Sequence, residues 1–253
     1  MLCDRTIPKA TKTMTPTIKI QELSIAVVAT KHNPTFLTLD FLKGSGIVPT
    51  DWEVARFALI DPQTGQLAFK NGINLIAQPG NITFSESLIN QAIGNKAIED
   101  VQIPTIARKY VEKLPQLDYK AISFNPRSFL TFESEAGENN GNADTAENAA
   151  RTYIVSKLLA PGSWLELGQQ PVKATIKLSY MLDGHPFNLT IDEAKLQLAD
   201  QPAQEAILLT GNFPRKIAGD TSEEQLQSLY QLLDCWQQPL DTYRETIDQR
   251  FLR

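Results

Sequence analysis

Apolar and polar positions alternate through the first half of the chain. Ile18 and Ile20, then Leu23, Ile25 and Val27, recur every second residue, with a slip of phase between Ile20 and Leu23. A strand sends successive side chains to opposite faces, so this reads as one long bulged strand or two short ones. Leu37, Leu39 and Phe41 alternate with Thr38 and Asp40, which predicts a half-buried strand over residues 35–41. Further strands are expected at 56–60, 67–69, 73–77 and, shorter, at 81–85. Turn residues separate them. In the stretch from Asp61 to Gly65, Pro62 presets φ and Gly65 supplies a left-handed position. Asn71-Gly72 is a tight hairpin signal.

The period changes at residue 103. Ile103, Ile106, Ala107, Tyr110, Val111 and Leu114 follow steps of three and four, the stripe of an amphipathic helix. Pro104 suits its first turn and Pro115 closes it. Strands at 119–125 and 128–133 are then expected around Asn125, Pro126 and Arg127. Residues 134–143 contain no large apolar side chain and read as a loop. A second helix is expected over 144–159, capped by Asp144 and Thr145 and ended by Pro161-Gly162. Residues 172–182, 186–198 and 206–210 read as a three-stranded meander, with Asp183-Gly184 as a type I′ turn.

The last segment is the most regular. Thr221 and Glu224 have capping-box spacing. Leu226, Leu229, Leu233, Trp236, Leu240, Tyr243 and Ile247 then make a heptad seam. Pro239 lies inside it and predicts a kink or a break.

These elements specify an α+β fold: mainly antiparallel sheet or sheets built from meanders and hairpins, with about three helices, including a long kinked C-terminal helix. Residues 1–16 are expected to be a flexible N-terminal tail, with Met14 a second candidate start, and 17–253 a single domain with a two-lobed division near 134–143. Strands then helix occur twice over, but the rhythm carries no repeated residues and supports no duplication.

Composition narrows the function. The 253 residues are 42% hydrophobic and 21% charged, ordinary for a packed domain that needs no disulfide or metal to fold. A net charge of -5, with Lys and Arg scattered, argues against nucleic acid and anionic membrane as partners. The longest apolar run, Ile25 to Ala29, is far short of the ~20 residues a membrane helix needs. Asp4, Arg5 and Pro8 stand where a signal peptide needs an apolar core, so a cytoplasmic location is expected.

Catalytic motifs are missing. No phosphate-binding glycine loop, nucleophile elbow or histidine-pair metal spacing occurs, and Cys3 and Cys235 have no CxxC spacing. No metal or cofactor is expected, and the balance leans away from an enzyme. The first reading is a non-catalytic protein-interaction or assembly subunit. It would bind a partner, or itself, through Leu229, Leu233, Trp236, Leu240, Tyr243 and Ile247; the plainer role for that seam is to cover the protein's own sheet. The alternative is a small-molecule or enzyme site at hairpin tips, using His32, Arg127, His185 and Arg215. The plainer role for these four is an exposed turn residue or a surface ion pair.

Overall fold

The computed structural model describes residues 17–56, 58–90, 94–132, 149–167, 172–197 and 203–252. The expected N-terminal tail, the loop at 134–143 and the start of the helix expected at 144 lie outside the described residues.

The fold is α+β, with one large antiparallel sheet and several helices. In chain order the main elements are β1 (Thr17–Thr30), α1 (Leu39–Gly44), β2 (Leu59–Ile60), β3 (Gly65–Ala68), β4 (Ile73–Gln78) and β5 (Asn81–Ser87). A small hairpin, β6 (Ile89–Asn90) and β7 (Gly94–Asn95), leads to α2 (Ile103–Lys113) and β8 (Asp118–Thr131). Then come α3 (Ala149–Tyr153), continued by a π-helical turn over Ile154–Leu158, β9 (Ile176–Leu182), β10 (His185–Leu196) and β11 (Gln204–Lys216). Two helices end the chain, α4 (Ser222–Asp234) and α5 (Gln237–Arg250).

The nine-stranded sheet has the order β2-β3-β4-β5-β1-β8-β11-β10-β9. β1 and β8 are its central, antiparallel pair. On each side the chain makes the same journey. β1 is followed by α1, a meander whose last strand β5 returns beside β1, and then α2. β8 is followed by α3, a meander whose last strand β11 returns beside β8, and then α4 and α5. The halves are therefore related by an approximate two-fold axis between β1 and β8. β2 has no counterpart in the second half among the described residues.

The helices cover one face of this sheet. α2 packs on β5 and β1, α4 and α5 on β8, and α3 on β11 and β10. Inward positions are mostly apolar: Leu23, Ile25 and Val27 of β1, Ile122 and Phe124 of β8, and Leu209 and Phe213 of β11 are all at most 3% exposed. Arg108 of α2 donates to Asp234 at 2.7 Å and lies over the Tyr230 ring, 4.7 Å from its centroid, which ties α2 to α4.

The phase slip in β1 is a register shift between Ile20 and Glu22. Four expectations need correction. Residues 35–41 are not a strand: Pro34–Phe36 is a 3₁₀ turn and α1 follows. Asn33 accepts from Thr35 N and Thr38 accepts from Phe41 N, so two successive caps draw this short stretch into helical turns. Of residues 56–60 only Leu59 and Ile60 are strand. The two strands expected around Pro126 are one, β8. Proline removes a ladder donor, and Pro126 is accommodated because it faces Gly211 of β11, where a Cβ would come within 3.1 Å of the proline ring. Finally, the long kinked C-terminal helix is two separate helices, broken at Cys235 and Trp236. A proline ring collides with the carbonyl four residues back, here that of Cys235. The break lies there, and Pro239 falls in the first turn of α5, where a missing N–H leaves no bond unmade.

Candidate functional site

Of the six seam residues expected to bind a partner, five are buried within the protein. Leu229, Leu233, Leu240, Tyr243 and Ile247 are at most 1% exposed, and only Trp236, at the break between α4 and α5, is half-buried. Tyr243 is the anchor. Its ring lies over Gly211, and its hydroxyl donates to Leu209 O at 3.0 Å and shares a hydrogen bond with Ser128 Oγ.

The four residues expected at hairpin tips are not gathered into one site, and two of them, Arg127 and Arg215, lie within strands β8 and β11 and not at a tip. Among the described residues, no hydrogen bond or ion pair joins any two of them. His185 is exposed, next to the Asp183-Gly184 turn, whose two residues have φ of 49° and 77° as a type I′ turn requires. Arg127 pairs with Glu22 across β1 and β8 at 3.6 Å, with both side chains substantially exposed. Arg215 lies on the opposite face from Arg127, being an odd number of residues from Thr210, Arg127's neighbour in β11. Its guanidinium donates to Pro186 O and Pro214 O.

His32 is 3% exposed, where an exposed turn residue was expected. Gly80 N donates to His32 O and Ala29 N to Gly80 O, which folds this turn back onto the end of the sheet. His32 Nδ1 meets Gln78 O at 3.4 Å, and Nε2 meets the Tyr110 hydroxyl at 2.8 Å. A carbonyl only accepts, so Nδ1 carries the proton and Nε2 accepts from Tyr110. Tyr110 in turn packs edge-on to Phe84 and Phe41. Burial lowers the His32 pKa from its ordinary 6.5, with the Gln78 bond opposing. The unfolded chain therefore takes up a proton here more readily than the folded one, and stability is lost as pH falls below the unfolded value and through the folded one. His32→Gln, which keeps the bond to Tyr110 and cannot titrate, is expected to flatten this loss. Urea midpoints at about pH 7.5 and about pH 5 check it, and equal acid sensitivity in both proteins would contradict it.

Glu86 was not singled out by motif, although the inward phase of Ile82, Phe84 and Glu86 already marks it. It is fully buried at the inner end of β5. Its carboxylate accepts from Gln102 N at 2.7 Å and Ile103 N at 3.1 Å, and it pairs with Lys96. It is the remote cap of α2, which has no side-chain cap of its own at Gln102.

Among the described residues no helix packs on the other face of the sheet, and its side chains form ordered rows. The central row runs Asn74 (β4), Ser85 (β5), Ser24 (β1), Asn125 (β8), Asn212 (β11), Asn188 (β10) and Ser179 (β9). Three bonds connect its second half: Ser179 Oγ to Asn188 Oδ1 at 2.9 Å, Asn188 Nδ2 to Asn212 Oδ1 at 3.2 Å, and Asn212 Nδ2 to Asn125 Oδ1 at 2.6 Å; from Asn125 the chain of bonds leaves the row to Ser123 Oγ at 3.2 Å. Asn188 and Asn212 each pass one N–H to the next amide carbonyl, and Asn125 Nδ2 donates to both the backbone oxygen and the hydroxyl of Ser123. The row carries no charge. The ions of the adjacent row are Glu22 and Arg127, which pair with each other, and Lys177 of β9. On one flank Ile76, Ala26, Pro214, Pro186 and Met181 add apolar surface. Such a face can hydrogen-bond and pack against a complementary surface. It offers neither a nucleophile beside a base nor a cationic cradle.

Other features hold less. A cleft of about 480 Å³ beside α4 is lined by Gly219, Glu223, Glu224, Gln227 and Ser228 among others. Of its polar groups Glu224 already serves the capping box and Ser228 Oγ accepts from Ala218 N. Among the described residues no three His, Cys, Asp or Glu side chains are grouped to hold a metal ion, and no helix is long and apolar enough to cross a membrane. No protein-family model matches the chain, and no curated protein sequence matches it.

Proposed function

We propose that this chain is a non-catalytic protein-interaction or assembly subunit, working in the cytoplasm, and that it docks a protein partner on the helix-free face of its sheet. The supporting observation is the asparagine and serine row across seven strands. The centres of interfaces are depleted in charged residues, and this row carries none. The C-terminal seam supports the same choice of surface. Five of its seven residues are buried in the protein's own core, so little of it is left for a partner. The alternative pocket built from His32, Arg127, His185 and Arg215 has no shared geometry in its favour.

The test compares two variants of the full chain in affinity capture from its own cells. Ser24→Arg with Asn212→Arg puts two charges on the open face; Asp241→Arg changes the exposed side of α5. Loss of one defined partner from the first variant alone, with both folded by circular dichroism, is the expected result. Retention by the first and loss from the second would overturn the choice of face.

A further inference from the structure

We propose that two copies of this chain join edge to edge through β9, antiparallel about a two-fold axis at Ser179, so that their sheets run on as one. This contact uses the edge of the sheet, not its face. It stands or falls separately from the docking surface above.

The two halves of the molecule frame the case. In the first half the outer edge of β3 is paired by β2, through Leu59 with Gln66 and Ile60 with Gly65. In the second half the equivalent edge of β9 has no strand against it among the described residues. β9 is seven residues long and pairs with β10 in unbroken register from Ile176 to Leu182. Of the devices that usually blunt an edge it carries one, the charge of Lys177, and neither a proline nor a bulge.

The turn fixes which groups point outward. A two-residue turn makes Leu182 and His185 a hydrogen-bonded pair, and the alternation then turns the N–H and C=O of Lys177, Ser179 and Met181 away from β10. Three residues thus offer six free backbone groups, evenly placed about Ser179. Tyr180 and Met181 are 37% and 68% exposed, so apolar surface collects on the same strand.

The sequence of β9 is self-complementary in this register. Ser179 meets the partner's Ser179, which carries the polar row of the open face from one copy to the next. Lys177 meets the partner's Met181, so the lone ammonium never opposes itself. On the helix side Leu178 meets the partner's Tyr180, whose ring stacks on Phe187 at 5.7 Å. Like charges directly opposite in a sheet repel and apolar pairs attract, and here every facing pair is neutral or apolar against charge. A two-fold dimer is also the simplest closed assembly an exposed edge can form.

Sedimentation velocity of the purified full chain over a concentration series tests this, with the sign of charge at position 181 as the control. The wild type should dimerise reversibly. Met181→Lys sets an ammonium against the partner's Lys177 at both ends of the contact and should weaken the dimer by about tenfold. Met181→Glu sets a carboxylate there and should tighten it. Lys177→Glu combined with Met181→Lys should restore pairing. Position 181 is exposed in the single chain, so the fold is not at stake. A wild type that stays monomeric throughout overturns the proposal. So does a dimer indifferent to the charge at 181, which would place the contact elsewhere.

Discussion

Glu86→Ala is expected to destabilise the protein by about 3–5 kcal/mol, the usual cost of breaking a buried ion pair from one side. The carboxylate is fully buried and its lysine partner is only 16% exposed, so water cannot replace what is lost. Two backbone N–H groups, of Gln102 and Ile103, lose their acceptor at the same time. An unsatisfied buried donor costs about 1–3 kcal/mol by itself. Glu86→Gln keeps a carbonyl oxygen for one of them and should lose clearly less. Denaturant unfolding monitored by circular dichroism gives both values. A loss under about 1 kcal/mol for Glu86→Ala would mean that α2 does not depend on this remote cap. Domains of this kind have roughly 5–15 kcal/mol in all, so the larger loss should also be visible as poor expression.

Tyr243→Ala should cost a similar amount, about 3–5 kcal/mol, by emptying a large site in the core. The ring is completely buried, and its hydroxyl serves both Leu209 O and Ser128 Oγ. Burial pushes its pKa up, so the phenol stays neutral and keeps its proton for donation. The reciprocal change is Gly211→Ala. A Cβ at Gly211 would lie 2.8 Å from the Tyr243 ring and 3.1 Å from that of Pro126, neither of which can swing aside. Overpacking of this sort costs about 1–3 kcal/mol. The two changes should be strongly non-additive. Once the ring is gone, the added methyl has room, and the double variant should be little worse than Tyr243→Ala alone. Strict additivity would contradict the packing described for α5.

Most of the sheet could be read from the sequence because alternation is a local signal. β3, β4, β5 and β10 lie where every-second-residue patterns put them, β9 starts four residues later than expected, at Ile176, and α2 follows its stripe from Ile103 to Lys113. The capping box at Thr221 and Glu224 is present as spaced. What escaped depends on contacts distant in sequence. Pro126 reads as a strand breaker until Gly211 is set opposite it. His32 reads as an exposed turn until Gly80 brings the chain back over it. The heptad seam says how apolar a helix face is, not what it meets, so the sequence allowed either the sheet or a partner. The short stretch around Leu37, Leu39 and Phe41 fits both periods, and the caps at Asn33 and Thr38 decide it. The two-fold relation of the halves was visible only as a rhythm of elements. It constrains which positions face inward, not which residues fill them: Phe84 underlies Tyr110 in one half, while Gly211 underlies Tyr243 in the other. The open-face row was written in the strands all along, as Asn74, Ser85, Ser24, Asn125, Asn212 and Asn188, but only strand order aligns them.

Site-specific photo-crosslinking tests the docking face most directly. A photoreactive side chain is placed at Thr210, beside the central row on the open face, or at Asp241, on the exposed side of α5. Each protein is irradiated in its own cells and adducts are resolved by mass. Docking on the open face predicts one dominant protein adduct from position 210 and none from 241. An adduct from 241, with position 210 silent, would contradict it and return the binding surface to the C-terminal helices.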